Sequence, residues 1–127
     1  METVLVVDDE ASIADMLAHV VTGMGFRVLV AYDGDAALRL ARTAPVDVVL
    51  SDVMLPGLSG PALVAALQDA HAGAVPRFVL MSSLPERHVR AAVQGDYRFL
   101  QKPFALPALA AALQAAVGHG ISVPRRA

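Results

Sequence analysis

The chain has 127 residues, with 10 Lys plus Arg, 12 Asp plus Glu, no Cys and no Trp. That length fits one domain able to bury roughly two thirds of its unfolded surface, and 56% hydrophobic against 17% charged residues excludes disorder as the main state. The lack of cysteine excludes a disulfide framework, thiolate metal sites and thiol catalysis, and a formal charge of −2 leaves no electrostatic footprint for nucleic acid, so no direct DNA binding is expected.

Met1-Glu2-Thr3 leads straight into an apolar run of only four residues, far short of a signal segment or membrane span. No membrane contact and a cytoplasmic location are therefore expected. That run, Val4-Leu5-Val6-Val7, reads as a first strand ending in Asp8-Asp9. Ile13, Met16, Leu17, Val20, Val21 and Met24 then recur at spacings of three and four, one face of a helix that Gly23 and Gly25 close. Val28-Leu29-Val30 is a second strand, and Ala37, Leu40, Ala41 and Ala44 trace a small-residue helix stopped by Pro45. Val48-Val49-Leu50 is a third strand closed by Ser51-Asp52, and Leu63, Ala66, Leu67 and Ala70 line a third helix after the turn at Pro56-Gly57. Phe78 to Met81 is a fourth strand, followed by Ser82-Ser83 and by a short helix marked by Val89, Ala92 and Val93. Tyr97 to Gln101 is a fifth strand, and Leu106, Leu109, Leu113, Ala116 and Val117 face inward from a fifth helix. The domain is expected to span 1–120, with 121–127 as a flexible tail.

Five strand–helix units in series predict an α/β fold, a doubly wound parallel sheet with helices on both faces. Strands one, three and four are continuous apolar runs suited to the middle of the sheet, whereas Arg27 and Arg98 place strands two and five at its edges. With right-handed crossovers this favours the order 2-1-3-4-5.

Ligands of such sheets bind at the carboxyl ends of the strands. Strand one ends in Asp8 and Asp9, strand three in Asp52, strand four in Ser82 and strand five in Lys102, the only lysine of the chain. Crowded carboxylates repel unless a cation intervenes, and a hard divalent ion such as Mg²⁺ takes oxygen ligands of this kind. Lys102 and Ser82 suit the oxygens of an anion. A cation and two donors around one carboxylate suit phosphoryl transfer to that carboxylate, and Asp52, alone on its strand end, is the best acceptor.

Four motifs carry a resemblance: Val6-Val7-Asp8-Asp9-Glu10, Leu50-Ser51-Asp52-Val53-Met54-Leu55-Pro56-Gly57-Leu58-Ser59-Gly60, Leu80-Met81-Ser82-Ser83 and Lys102-Pro103-Phe104. In this order, on these strand ends, they resemble the receiver domain of two-component response regulators, of the single-domain, chemotaxis-regulator-like type. The resemblance implies a flavodoxin-like fold and a phosphoacceptor signalling module, not an enzyme beyond its own phosphorylation and dephosphorylation. Asp52 would accept the phosphoryl group from a histidine kinase or histidine phosphotransfer protein. Mg²⁺ (or Mn²⁺) would be held by Asp9 directly, by Asp8 largely through water, by Asp52, and by the Met54 backbone carbonyl. Ser82 and Lys102 would contact the phosphoryl oxygens, Ser82 and Phe99 would form the switch, and the Lys102-Pro103 bond would be cis. The output would pass through the face of helix four, strand five and helix five.

Some residues depart from the family pattern. The step from Ser82 to Lys102 is 20 residues, a residue or two short, so helix four is expected to be short or irregular and Ser83 becomes an alternative hydroxyl. Phe99 lacks the hydroxyl of the commoner tyrosine. The uncharged stretch from Ala105 to Val117 reads either as a partner or dimer surface or as the mark of an alanine-rich proteome. Two other chemistries compete with the phosphoacceptor. An aspartyl-phosphate phosphatase of the haloacid dehalogenase type needs a second Asp where Met54 stands, and an FMN carrier needs a phosphate-cradling loop where Asp8-Asp9-Glu10 would repel it. A phosphorylation-independent scaffold receiver would be expected to lack a key residue, and none is missing.

Overall fold

The computed structural model describes residues 2–70 and 75–121. Strands and helices alternate without exception: β1 (Thr3–Val7), α1 (Ala11–Gly23), β2 (Arg27–Ala31), α2 (Gly34–Thr43), β3 (Val48–Asp52), α3 (Gly60–Ala70), β4 (Arg77–Ser82), α4 (Glu86–Arg90), β5 (Arg98–Gln101) and α5 (Leu106–Ile121). All strand pairs are parallel and the sheet order is β2-β1-β3-β4-β5. This is the doubly wound parallel arrangement that the alternation of apolar runs and helical periods predicts, and the flavodoxin-like fold that the resemblance implies.

Burial follows the strand compositions. Every residue of β1 and β3 is buried, while β2 and β5 begin with exposed Arg27 and Arg98 and sit at the edges. Because side chains alternate across a strand, the core divides in two. Leu5, Val7, Val49, Phe78 and Leu80 pack against Ala37 and Ala41 of α2, Leu63, Val64 and Leu67 of α3, and Val89 beside them. Val4, Val6, Val48, Leu50, Val79 and Met81 pack against Ala14, Leu17 and Val21 of α1 and Leu109, Leu113 and Ala116 of α5. Each buried Val or Leu side chain contributes roughly 1.5–3 kcal/mol relative to exposure.

Several expectations are corrected. Met16 is 54% exposed, because the buried stripe of α1 is Ala14, Leu17 and Val21 and a residue next to Leu17 points about 100° away. Leu106 is also exposed, since it opens α5 a turn before Leu109, the first residue of that helix to enter the core. Helix α5 runs on to Ile121 through Gly118 and Gly120, for glycine weakens a helix by about 1 kcal/mol without blocking its main-chain bonds. Of the expected tail, 121–127, the first residue ends α5, and residues 122–127 lie outside the described residues. As expected from the short spacing, α4 has only five residues, and Gly95 at φ +100 turns the chain back into β5.

Candidate functional site

The register of the sheet brings the candidate residues to one rim. Val7 of β1 pairs with Ser51 of β3, so Asp8 and Asp52, each one residue further, stand side by side. Ser82 of β4 pairs with Gln101 of β5, and the next residue, Lys102, donates its backbone N–H to the Ser82 carbonyl at 2.7 Å. The Lys102-Pro103 bond is cis.

The two buried acids are held in the same way. Asp8 Oδ1 accepts the N–H of Glu10 at 3.0 Å, and Asp52 Oδ1 accepts the N–H of Met54 at 3.1 Å. These are local turns in which an Asp side chain bonds the main chain two residues on. The second oxygens share one cation, Lys102 Nζ, at 3.2 Å from Asp8 Oδ2 and 3.0 Å from Asp52 Oδ2. Every carboxylate oxygen of the pair thus has a donor, as burial demands. Burial alone would lower the Lys102 pKa, but the hydrogen bond and charge of Asp52, and then those of Asp8, outweigh it and hold the ammonium above its ordinary value.

Asp9 stands exposed at the mouth of the same cluster, and carboxylate oxygens of Asp8, Asp9 and Asp52 lie within 4.8 Å of one another. Three carboxylates with no imidazole or thiolate among them form a donor set of hard oxygens, which fits Mg²⁺ or Mn²⁺. Ser82 is buried, and its Oγ accepts the N–H of Leu84 at 3.0 Å. Ser83 is exposed and offers its carbonyl to Gln101 Nε2 at 3.0 Å. Phe99 is half-buried on the edge strand and packs on the α2–α3 side of the core together with Tyr97.

The profile of the response regulator receiver domain matches residues 4–114. The chain belongs to this family. Receiver domains are signalling modules of two-component systems. The probable transcriptional regulatory protein TcrX of Mycobacterium tuberculosis is 32% identical over 113 residues, covering 89% of this chain and 48% of that protein. The chain therefore spans about half the length of the curated relatives it matches. Among solved structures, the chemotaxis response regulator CheY4 of Vibrio cholerae superposes with a TM-score of 0.77 at 33% identity, over 91% of this chain and 98% of that one. The regulator TrrA of Thermotoga maritima, solved in complex with Mg²⁺ and BeF, shares the fold with a TM-score of 0.78 at 22% identity, over 91% of this chain and 99% of that one. Relatives named as transcriptional regulators leave the exclusion of DNA binding without support: the charge of −2 describes this receiver, not the further length that those relatives possess. No helix among the described residues is long and apolar enough to cross a membrane.

The sequence reading overlooked three features of the receiver. The amides of Glu10 and Met54 as carboxylate donors were signalled by Asp two residues before each. Tyr97 donates its hydroxyl to Glu86 Oε2 at 3.2 Å, and Arg90 pairs with the same oxygen at 3.2 Å, so the short α4 is tied to the start of β5. Nothing in residue spacing announces that tie. Gly34 and Gly60 also touch the loop that follows Asp52; Gly60 closes the second motif and Gly34 precedes a helical run, but neither placement announces the contact.

Proposed function

We propose that this receiver takes a phosphoryl group on Asp52 from the phosphohistidine of a histidine kinase or histidine phosphotransfer protein, in a reaction dependent on Mg²⁺ (or Mn²⁺). The observation that carries the reading is the Asp52 carboxylate at the strand rim, 3.0 Å from Lys102 Nζ and clustered with Asp8 and Asp9. In the transfer, the P–N bond to the donor imidazole breaks, its electron pair stays on nitrogen, and an Asp52 oxygen forms the new P–O bond. The Asp8, Asp9 and Asp52 carboxylates and the Met54 carbonyl would hold the divalent ion, whose charge offsets that of the transferring oxygens. Lys102 stands ready to exchange its carboxylate contacts for a phosphoryl oxygen, and preorganised charge of this kind carries most of such a reaction.

The buried Ser82, rather than the exposed Ser83, is the hydroxyl we assign to the phosphoryl group. Its movement would draw Phe99 inward and shift a two-state equilibrium of the α4–β5–α5 face, which binds the next partner. A protein partner, a second copy of the chain, or DNA reached through a longer protein are the outputs consistent with the relatives. Acetyl phosphate with Mg²⁺ should label the protein once, as read by intact-mass spectrometry. Equal labelling of Asp52→Asn would overturn the assignment.

A further inference from the structure

Glycine has two separate uses, freedom at positive φ and absence of a side chain where backbones meet. Gly25, Gly57 and Gly95 serve the first, with φ of +98, +70 and +100. Gly34 and Gly60 have no such φ, so only space accounts for them. Gly34 opens α2, and a Cβ there would run into the carbonyl oxygen of Leu58 and lie 2.8 Å from Leu58 Cβ. Gly60 opens α3, and a Cβ there would lie 2.8 Å from the Asp52 carbonyl oxygen and 2.8 Å from Val53 Cα. Around Gly60 all the obstructing atoms are main chain, which cannot rotate away.

Both glycines press on one segment, the loop from Val53 to Ser59 that leaves β3 directly after Asp52. The N–H of Gly60 closes this loop on the Val53 carbonyl at 3.0 Å, and the N–H of Met54 within it holds Asp52 Oδ1. We infer that Gly60 and Gly34 are positioning residues of the phosphoryl site, a pair of side-chain-free contacts that clamp the loop following Asp52 at its two ends, Gly60 of α3 against Asp52 and Val53 and Gly34 of α2 against Leu58. The inference rests on the reading of Asp52 as phosphoacceptor and of the Met54 carbonyl as a metal ligand. A Cβ at Gly60 falls about 0.6 Å inside ordinary contact at 3.4 Å, so main chain must shift at the strand end carrying Asp52 or at the start of α3 that closes its loop. A misplacement of about 1 Å can cost a reaction that depends on oriented groups about a hundredfold.

The experiment uses the full chain as Gly60→Ala and Gly34→Ala, with Gly23→Ala as control, since nothing lies within 4 Å of a Cβ at Gly23. Mn²⁺ binding is titrated by water-proton relaxation without phosphodonor, and labelling by acetyl phosphate is resolved into half-saturating Mg²⁺ and maximal rate. The expected result is Mn²⁺ binding weakened about tenfold and labelling slowed roughly ten- to a hundredfold in Gly60→Ala, with its circular dichroism spectrum retained. Gly34→Ala should show a smaller loss in the same direction, and the control should match the parent. Should Gly60→Ala not fold, Gly34→Ala decides the matter. Folded variants that melt earlier yet bind Mn²⁺ and label like the parent overturn the inference, because a purely structural role moves only the melting point. A parent chain that binds Mn²⁺ but is never labelled defeats the phosphoacceptor reading instead, and the Mn²⁺ titrations still decide whether the glycines place the acids.

Discussion

Replacing Lys102 by Met keeps most of the aliphatic stem and removes the charge that Asp8 and Asp52 share. Asp8 is fully buried, the Asp52 side chain is 12% exposed and that of Lys102 22%. At an effective dielectric near 20, contacts of this length carry roughly 5 kcal/mol each before desolvation is subtracted. Stripping one partner from a fully buried pair costs about 3–5 kcal/mol. The residual exposure of Lys102 lets solvent screen part of the remaining repulsion, so we expect Lys102→Met to lose about 2 kcal/mol at pH 7. Urea unfolding followed by far-UV circular dichroism, with chelator present, measures this directly; the chain has no Trp for fluorescence. Mg²⁺ should then stabilise Lys102→Met more than the parent, because the metal replaces the missing cation. The pH dependence has a defined sign. With the folded-state pKa of Lys102 raised above 10.5, its contribution is complete at neutral pH and fades only as pH climbs past 10.5 through the raised value. A Lys102→Met midpoint equal to or above that of the parent in chelator would refute the view that this ammonium holds the acid pair together.

Three further outcomes are expected. Asp33 caps α2 by accepting the Ala36 N–H at 2.7 Å, so Asp33→Ala should lose about 1 kcal/mol in urea unfolding and Asp33→Asn much less; equal losses would rule out a capping role. Tyr97→Phe removes the hydroxyl bond to the half-exposed Glu86, worth about 0.5 kcal/mol, and should speed amide exchange in α4 while leaving β1 and β3 protected. Unchanged exchange at Val89 would show that the tie carries nothing. Met54 and Leu84 are exposed apolar residues on the segments that carry Asp52 and Ser82, and neither can orient a water, so phosphorylated protein should lose its label slowly. A half-life of seconds by intact mass would contradict this, as would Met54→Asn leaving the rate unchanged.

The sequence alone determined the order and type of the elements, because fully buried strands must be continuous apolar runs and edge strands can carry Arg27 and Arg98. It also determined that Asp8, Asp9, Asp52 and Lys102 would share one rim, because parallel crossovers send every strand's carboxyl end to the same side. Local rules reached less far along the helices. The spacing that marked Met16 and Leu106 as inward could not tell a core stripe from its flank, since that depends on where the helix axis settles on the sheet. What only the tertiary structure decided was the pairing at the rim: one ammonium shared by two carboxylates at the ends of β1 and β3, Ser82 buried and Ser83 turned out, Tyr97 tied to Glu86, and two helix-opening glycines pressed against the loop that follows Asp52. Each of these is a contact of a few ångströms between residues distant in the chain or a choice of side between neighbours, and such distances are set by the packing of whole elements rather than by any preference of the residues themselves.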